Sequence, residues 1–455
     1  MGGGPANEPF RGSPRGDSRR ARYGAAPLMA SKPSLLQILA LPRTWLLVVL
    51  GFSSGLPLLL LASTLSAWMT NEGVNLKTIG VFSLVSWPYV VKFVWAPLMD
   101  RYAPPFLGRR RGWMLLTQVG LGLTIAGMGL LNPRTDPLAV ASLAVVVAFL
   151  AASQDIVSDA WRTDTLSEGE RAFGTATFIV GYRIGMLAAG GVALALSDVI
   201  GWANTYGVMG ALMAVGVVGT LLAREPESQR PPRTLVQAVT VPFVDYFSRK
   251  GSVLVLCFLL LYKLGDAIAG GMTTPFYLKT GFSNTEVGAI IKGGGLVATL
   301  AGGILGGALL TRLSMRRGLF IFGALQSLTN LSFLALALMG KNYAMLVVAI
   351  CVDNVCGGMA DAAMSAFTMA LCNKRFSATQ FALITALSNA GGRLFAASSG
   401  FLAVGLGWPG FFGLTVTLAV PALVLLTFLP DGAAVPVPEE ALPAPLGDSV
   451  PVVNP

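Results

Sequence analysis

Apolar stretches long enough to cross a bilayer recur along this chain near residues 44–68, 78–99, 112–131, 138–161, 172–196 and 202–223. They recur again near 252–278, 285–310, 317–339, 343–371, 378–404 and 408–429. A helix rises about 1.5 Å per residue, so about 20 apolar residues cover a hydrocarbon core of about 30 Å. In lipid each segment must close its own backbone hydrogen bonds, which leaves the helix as the element. Composition agrees, because 54% of the 455 residues are hydrophobic and only 12% are charged. Soluble domains carry about 25% charge. The expectation is an all-α integral membrane protein of twelve transmembrane helices in two six-helix halves, residues 41–223 and 252–430. A polar, Pro-containing linker at 224–251 joins them. The basic tail 1–40 and the Pro/Ala/Val-rich tail 431–455 read as disordered.

Orientation follows from Lys and Arg. They concentrate in the N-terminal tail and in the loops after even-numbered spans, whereas the opposite loops hold only Lys77, Arg134, Lys279 and Lys341. The positive side faces the cytoplasm, so both termini are expected there. The net charge of +10 is thereby explained without nucleic acid. With no histidine, proton chemistry near neutral pH falls to carboxylates. Cys257, Cys351, Cys356 and Cys372 lie in apolar segments without metal-ligand spacing and read as reduced core thiols.

Charges also lie inside the spans or at their ends. The bases are Lys92, Arg183, Lys263, Lys292 and Arg393; the acids, equal in number, are Asp155, Asp159, Asp266, Asp353 and Asp361. Each costs roughly 2.5–3.5 kcal/mol at a span centre if left alone in lipid. They are therefore expected in ion pairs, in a hydrated cavity, or in both. Asp155 and Asp159, four apart in the stretch 151–164, share a helical face, and Lys263 can meet Asp266 at i, i+3. Glycine pairs such as Gly302-Gly303 and Gly357-Gly358 fall within spans and indicate close helix packing. Ser283-Asn-Thr-Glu286 reads as a capping box.

The halves repeat. Gly181-Tyr-Arg183-Ile-Gly-Met-Leu-Ala-Ala-Gly190 in the fifth span matches Gly391-Gly-Arg393-Leu-Phe-Ala-Ala-Ser-Ser-Gly400 in the eleventh. Between the second and third spans, Asp100-Arg101 followed by Gly108-Arg109-Arg110-Arg111 resembles the signature loop of the major facilitator superfamily. Residues 102–107 are an insertion in that pattern. Its echo in the second half, Arg312 with Arg316-Arg317, has Thr311 where an Asp would stand. Several stretches together resemble the anhydromuropeptide permeases of the AmpG type. They include Gly51-Phe-Ser-Ser-Gly-Leu-Pro57, Lys92-Phe-Val-Trp-Ala-Pro-Leu-Met-Asp-Arg-Tyr102 and Ala152-Ser-Gln-Asp-Ile-Val-Ser-Asp-Ala-Trp161. The resemblance is dense over 41–225 and looser over 250–430.

That resemblance implies a monomeric carrier in the bacterial inner membrane. It would import N-acetylglucosamine–anhydro-N-acetylmuramyl peptides, driven by the proton gradient with no cofactor, for wall recycling and β-lactamase induction. Its partners would be the muropeptide and membrane lipid. Related branches carry other bulky anions, acetyl-coenzyme A or siderophores. The Gly265-Asp266 pair alone does not make an intramembrane aspartyl protease, since the Tyr-Asp partner is missing.

On this reading Arg183 and Arg393 recognise substrate carboxylates through planar forks, or else pair with Asp155, Asp266 or Asp353. Lys92, Lys263 and Lys292 are further candidates for substrate, as are Gln154, Asn354, Tyr182, Tyr262 and Trp68. Asp266 is the first choice for proton coupling, with Asp353 and Asp361 beside it. Asp155 and Asp159 would couple protons or gate by pairing with Arg101, Arg162 or Arg109, Arg110 and Arg111.

Overall fold

The computed structural model describes residues 1–2, 42–166, 168–226, 244, 246–249, 251–371 and 377–429. The chain separates into the units Met1–Leu41 and Pro42–Pro455. Nearly all of the first, the tail 431–455, most of the linker and Cys372 lie outside the described residues. The second unit is described here.

Every regular element among the described residues is helical. The principal helices are α1 (Pro42–Leu59), α2 (Leu76–Val81), α3 (Arg109–Met128), α4 (Pro137–Thr165), α5 (Glu168–Leu187) and α6 (Ala193–Leu222). They continue with α7 (Leu264–Lys279), α8 (Gly295–Leu310), α9 (Met315–Met339), α10 (Tyr343–Ala370), α11 (Ser377–Ala396) and α12 (Ser399–Thr417). Among the described residues, eight continuous helical stretches are long and apolar enough to cross a membrane. One of them, Thr177–Leu222, runs for 46 residues, about 69 Å if straight. It breaks at Gly201 (φ 76°), and the stretch Ser399–Phe428 breaks at Gly407 (φ 65°). Only glycine takes up such a φ readily. Both breaks read Gly-Trp, an internal repeat: Trp202 stacks on Trp68, and Trp408 packs on Phe276.

The segment from Leu76 to Arg101 is apolar but alternates short α and 3-10 pieces. Pro88 and Pro97 each open one of those α pieces. A proline lacks the N–H that a continuing helix needs from it. Elsewhere the helix starts follow local chemistry. The Ser283 side chain and Glu286 close a capping box, and Ser314 and Asn342 accept from Arg317 and Met345 backbone N–H groups. Helices α1 and α5 cross backbone to backbone. A Cβ at Gly51, Gly55, Gly181 or Gly185 would collide with a carbonyl of the facing helix, so small residues set this contact.

The packing differs between the two ends. One large core joins the halves, with Leu65, Trp68 and Tyr206 of the first beside Ile268, Phe276 and Phe412 of the second. Close approaches accompany it: Gly400 meets Leu76, and Gly288 meets Gly191. Asp198 accepts from Asn284 Nδ2 (2.8 Å), Thr285 N (2.7 Å) and Thr285 Oγ1 (2.7 Å) in the other half. At the other end the core divides in two. Leu47, Met114 and Trp161 form one cluster in the first half; Phe258, Phe322 and Leu426 form another in the second.

The cysteines require a correction. Cys257, Cys351 and Cys356 are free thiols, but Cys257 and Cys351 are exposed and Cys356 is half-buried. A thiol is apolar enough to sit on an outward helix face, so hydropathy alone does not distinguish that face from the core.

Candidate functional site

One cluster of charge lies in the second half, where the seventh apolar segment breaks. Helix Ser252–Tyr262 ends and α7 begins around Lys263, whose backbone is non-helical (φ −103°, ψ 5°). The break carries the charge to a junction between α7, α9 and α10. Lys263 Nζ donates to Asp266 Oδ2 at 3.1 Å and reaches Asp361 Oδ1 at 2.7 Å. Gln326 Nε2 on α9 donates to Asp266 Oδ1 (3.2 Å) and to Asp353 Oδ1 (3.1 Å). Thr329 Oγ1 reaches the same Asp353 oxygen at 2.8 Å. Lys263, Asp266, Gln326, Asp353 and Asp361 line a cavity of about 270 Å³ with Thr299, Asn330, Asn354 and Gly357. Asn354 is held there by Thr299, which donates to its Oδ1 at 2.9 Å. The Asp361 side chain is 59% exposed, which places it at the wet side of the cluster.

A second group of charges sits on α4, α5, α11 and the segment around residue 90. Lys92 Nζ stands 4.0 Å from Asp155 Oδ2, the outer limit of an ion pair. Arg393 reaches across the halves. Its Nη1 donates to Ser86 O at 2.9 Å, and its guanidinium lies 5.8 Å from the Tyr89 ring centre. Arg183 Nη1 donates to Met186 Sδ at 3.7 Å. Neither guanidinium has a carboxylate within 4.0 Å among the described residues. The ion pairs considered for them with Asp155, Asp266 or Asp353 are not formed. Both arginines are half-buried, and each keeps donors available to an anion.

The signature loop is a structural lock at the end where the core divides. Glu225 caps α3, accepting from the backbone N–H groups of Arg110 (2.8 Å) and Arg111 (2.9 Å). A carboxylate is favoured there by the helix dipole. Arg110 Nε donates to Asp164 at 2.9 Å, and Arg111 bonds the Thr220 and Leu221 carbonyls at the end of α6. Arg316 repeats the last contact in the second half by bonding Leu429 O. Asp159 pairs with Arg162 on its own helix at 2.9 Å. It is Asp164 that answers Arg110. Arg101 lies over Tyr102, and Gly108 takes φ 83° just before α3. Asp100 and Lys292 lie on helical segments, but their side chains fall outside the description.

Several polar candidates turn out to be packing residues. Gln154 is fully buried and donates to Ser53 Oγ at 2.8 Å. Tyr262 donates to Leu319 O at 3.0 Å. Trp68 is 2% exposed, between Trp202 and Tyr206. Tyr182 is half-buried where α5 crosses α1 at Gly55. Gln326, Thr329 and Asn330 escape a search for charges. Their signal is spacing, three polar groups at i, i+3 and i+4 on one face of an apolar helix.

The sequence profile of the Major Facilitator Superfamily matches residues 46–283 and 255–452. A protein of Escherichia coli strain K12 called anhydromuropeptide permease is 50% identical over 394 residues, 86% of this chain and 80% of that one. The chain belongs to the anhydromuropeptide permease family of the major facilitator superfamily. A putative transporter AmpG 4 of Rickettsia felis is 34% identical over 398 residues, 85% of this chain and 96% of that protein. Among solved structures, the nucleoside transporter NupG matches with a TM-score of 0.66 at 14% identity, covering 85% of this chain and 99% of that one. A D-xylose–proton symporter matches at 0.65 and 11%, covering 87% and 99%. These likenesses show the fold. The transporter is accordingly a multi-pass protein of the bacterial inner membrane.

Proposed function

We propose that this transporter imports N-acetylglucosamine–anhydro-N-acetylmuramyl peptides from periplasm to cytoplasm, by proton symport and alternating access. The observation that carries the reading is the pair Arg183 and Arg393, half-buried guanidiniums without a carboxylate partner among the described residues. An arginine held this way inside a membrane protein is matched by a ligand anion, and peptide carboxylates supply one. The 50% identity to a relative named for anhydromuropeptides supports the substrate class. Alternating access is supported by the unequal ends, one joined core against two separate ones. The reading takes the chain as twelve crossings with both termini in the cytoplasm, acting as a monomer. The proton gradient is its energy source, and no cofactor takes part.

Uptake of radiolabelled N-acetylglucosamine–anhydro-N-acetylmuramyl tripeptide by cells lacking their own permease tests it. Uptake that collapses with a protonophore is the expected result. No uptake by well-inserted protein overturns the substrate, and protonophore-resistant accumulation overturns the coupling.

A further inference from the structure

The carboxylates of the second-half cavity are not equivalent, and the donors around them rank them. Lys263 is the one cation within 4.0 Å of this cluster among the described residues, and it serves Asp266 and Asp361. Asp353 has no cation within 4.0 Å among the described residues. Its Oδ1 instead takes neutral donors, Gln326 Nε2 at 3.1 Å and Thr329 Oγ1 at 2.8 Å. The Gln326 amide has two N–H groups, and each is committed, one to Asp266 and one to Asp353. The amide therefore cannot turn without stranding a carboxylate, and its own Oε1 is left buried and unpartnered.

Thr329 supplies the second half of the argument. Its hydroxyl has one proton and two acceptors in reach, Asp353 Oδ1 at 2.8 Å and the Gln326 carbonyl at 2.7 Å. With Asp353 ionised, the hydroxyl donates to the carboxylate. With Asp353 carrying a proton on Oδ1, the hydroxyl turns to the carbonyl and accepts that proton's hydrogen bond. Both states are satisfied by rotating one O–H, with no side chain displaced.

Resting on the symport reading above, we infer that Asp353 is the acid that carries the transported proton, bound at Oδ1 against Thr329, with Gln326 and Thr329 as its positioning residues. Asp266 is then a fixed counter-ion of Lys263, in place of the first-choice role that the sequence suggests for it. The charged groups facing Asp353 are Asp266 and Lys263 from the α7 region, with Asp361 on its own helix beyond them. Tyr277 of α7 lines the same cavity, and Cys356 lies one turn along α10. Proton binding at Asp353 neutralises the carboxylate of this cluster that has no lysine or arginine within 4.0 Å among the described residues. The Lys263–Asp266 link, which straddles the helix break, stays intact in both states. The proton is taken from the periplasmic side and lost to the cytoplasm, so no other co-reactant is required.

The test uses the full-length protein in proteoliposomes with labelled muropeptide. Accumulation driven by a pH gradient is compared with substrate counterflow, which needs no net proton movement. Asp353→Asn is expected to lose gradient-driven accumulation by roughly tenfold or more while counterflow persists. Asp266→Asn is expected to leave accumulation dependent on the gradient. Thr329→Val, close in shape, is expected to shift the pH midpoint of uptake by about half a unit, with Thr329→Ser restoring it. Accumulation surviving in Asp353→Asn overturns the inference. So does the accumulation–counterflow split appearing in Asp266→Asn instead. If Asp353→Asn loses counterflow too, an unmoved pH profile in Thr329→Val overturns it. Wild-type accumulation indifferent to the gradient overturns the symport reading itself, a result separable from all of these.

Discussion

The two places where this molecule holds cations within its spans are built on opposite plans. At the α7 break, Lys263 is tied to two carboxylates, and Gln326 extends the network to a third. Arg183 and Arg393 have backbone, sulfur and ring contacts but no anion among the described residues. A satisfied network resists substitution at any one member, because the remaining charges are stranded. An unsatisfied guanidinium costs the fold little to remove and costs the ligand much. On the proposed reading, the contrast separates cations held by the protein's own carboxylates from guanidiniums left for a ligand anion.

The largest effect that would break this contrast lies at the arginines. Arg393→Ala and Arg183→Ala are each expected to lower muropeptide uptake by about 10- to 100-fold, the worth of a charge-assisted hydrogen bond, with insertion and thermal stability unchanged. Wild-type uptake in either variant, measured at matched membrane expression, removes that residue from the binding site. Lys263→Met should do the reverse to stability. It strands Asp266 and Asp361, and in a partly wet cavity the loss is about 1–3 kcal/mol, below that for a dry pair. Unfolding in detergent reads it, and adding Asp266→Asn should recover part of the loss.

The contrast between the ends sharpens the same point. Asp198 joins the halves through three hydrogen bonds at the start of the helix that leads into α8. Asp198→Ala is expected to weaken that closure by about 1–2 kcal/mol, comparable to a lost helix cap. Accessibility of a thiol introduced in the cavity by Asn330→Cys, read with an impermeant reagent, should rise 5- to 30-fold at that cost, by roughly RT per natural-log unit. Unchanged accessibility would mean that the joined core alone keeps this end shut. The smallest effect belongs to the outward thiols. Cys257→Ala and Cys351→Ala should alter stability by no more than about 0.5 kcal/mol, since neither fills the core. A larger loss on thermal unfolding would return them to the interior.

Much of the architecture was legible in advance because it is written in one dimension. Segment length and hydropathy need only neighbouring residues, and they mark apolar helices of spanning length where the structure has them. The i, i+3 pair Lys263–Asp266 was legible for the same reason. Gln154, Tyr262 and Trp68 were read as facing substrate because they are polar or aromatic in an apolar run. In the structure Gln154 Nε2 bonds Ser53, the Tyr262 hydroxyl bonds Leu319, and Trp68 stacks on Trp202.

The sequence by itself determined that the chain is helical, membrane-bound, built as a repeat and loaded with charges that must find partners. Only the tertiary structure decided the pairings. Asp164 rather than Asp159 meets Arg110, Glu225 caps α3 from over a hundred residues away, and one glutamine amide divides its two N–H groups between acids on different helices. The reason is geometric. Hydropathy and charge are properties of a residue and its near neighbours along one helix. A hydrogen bond forms across helices only where their crossing brings donor and acceptor to about 3 Å, and that crossing is set by the packing of all of them.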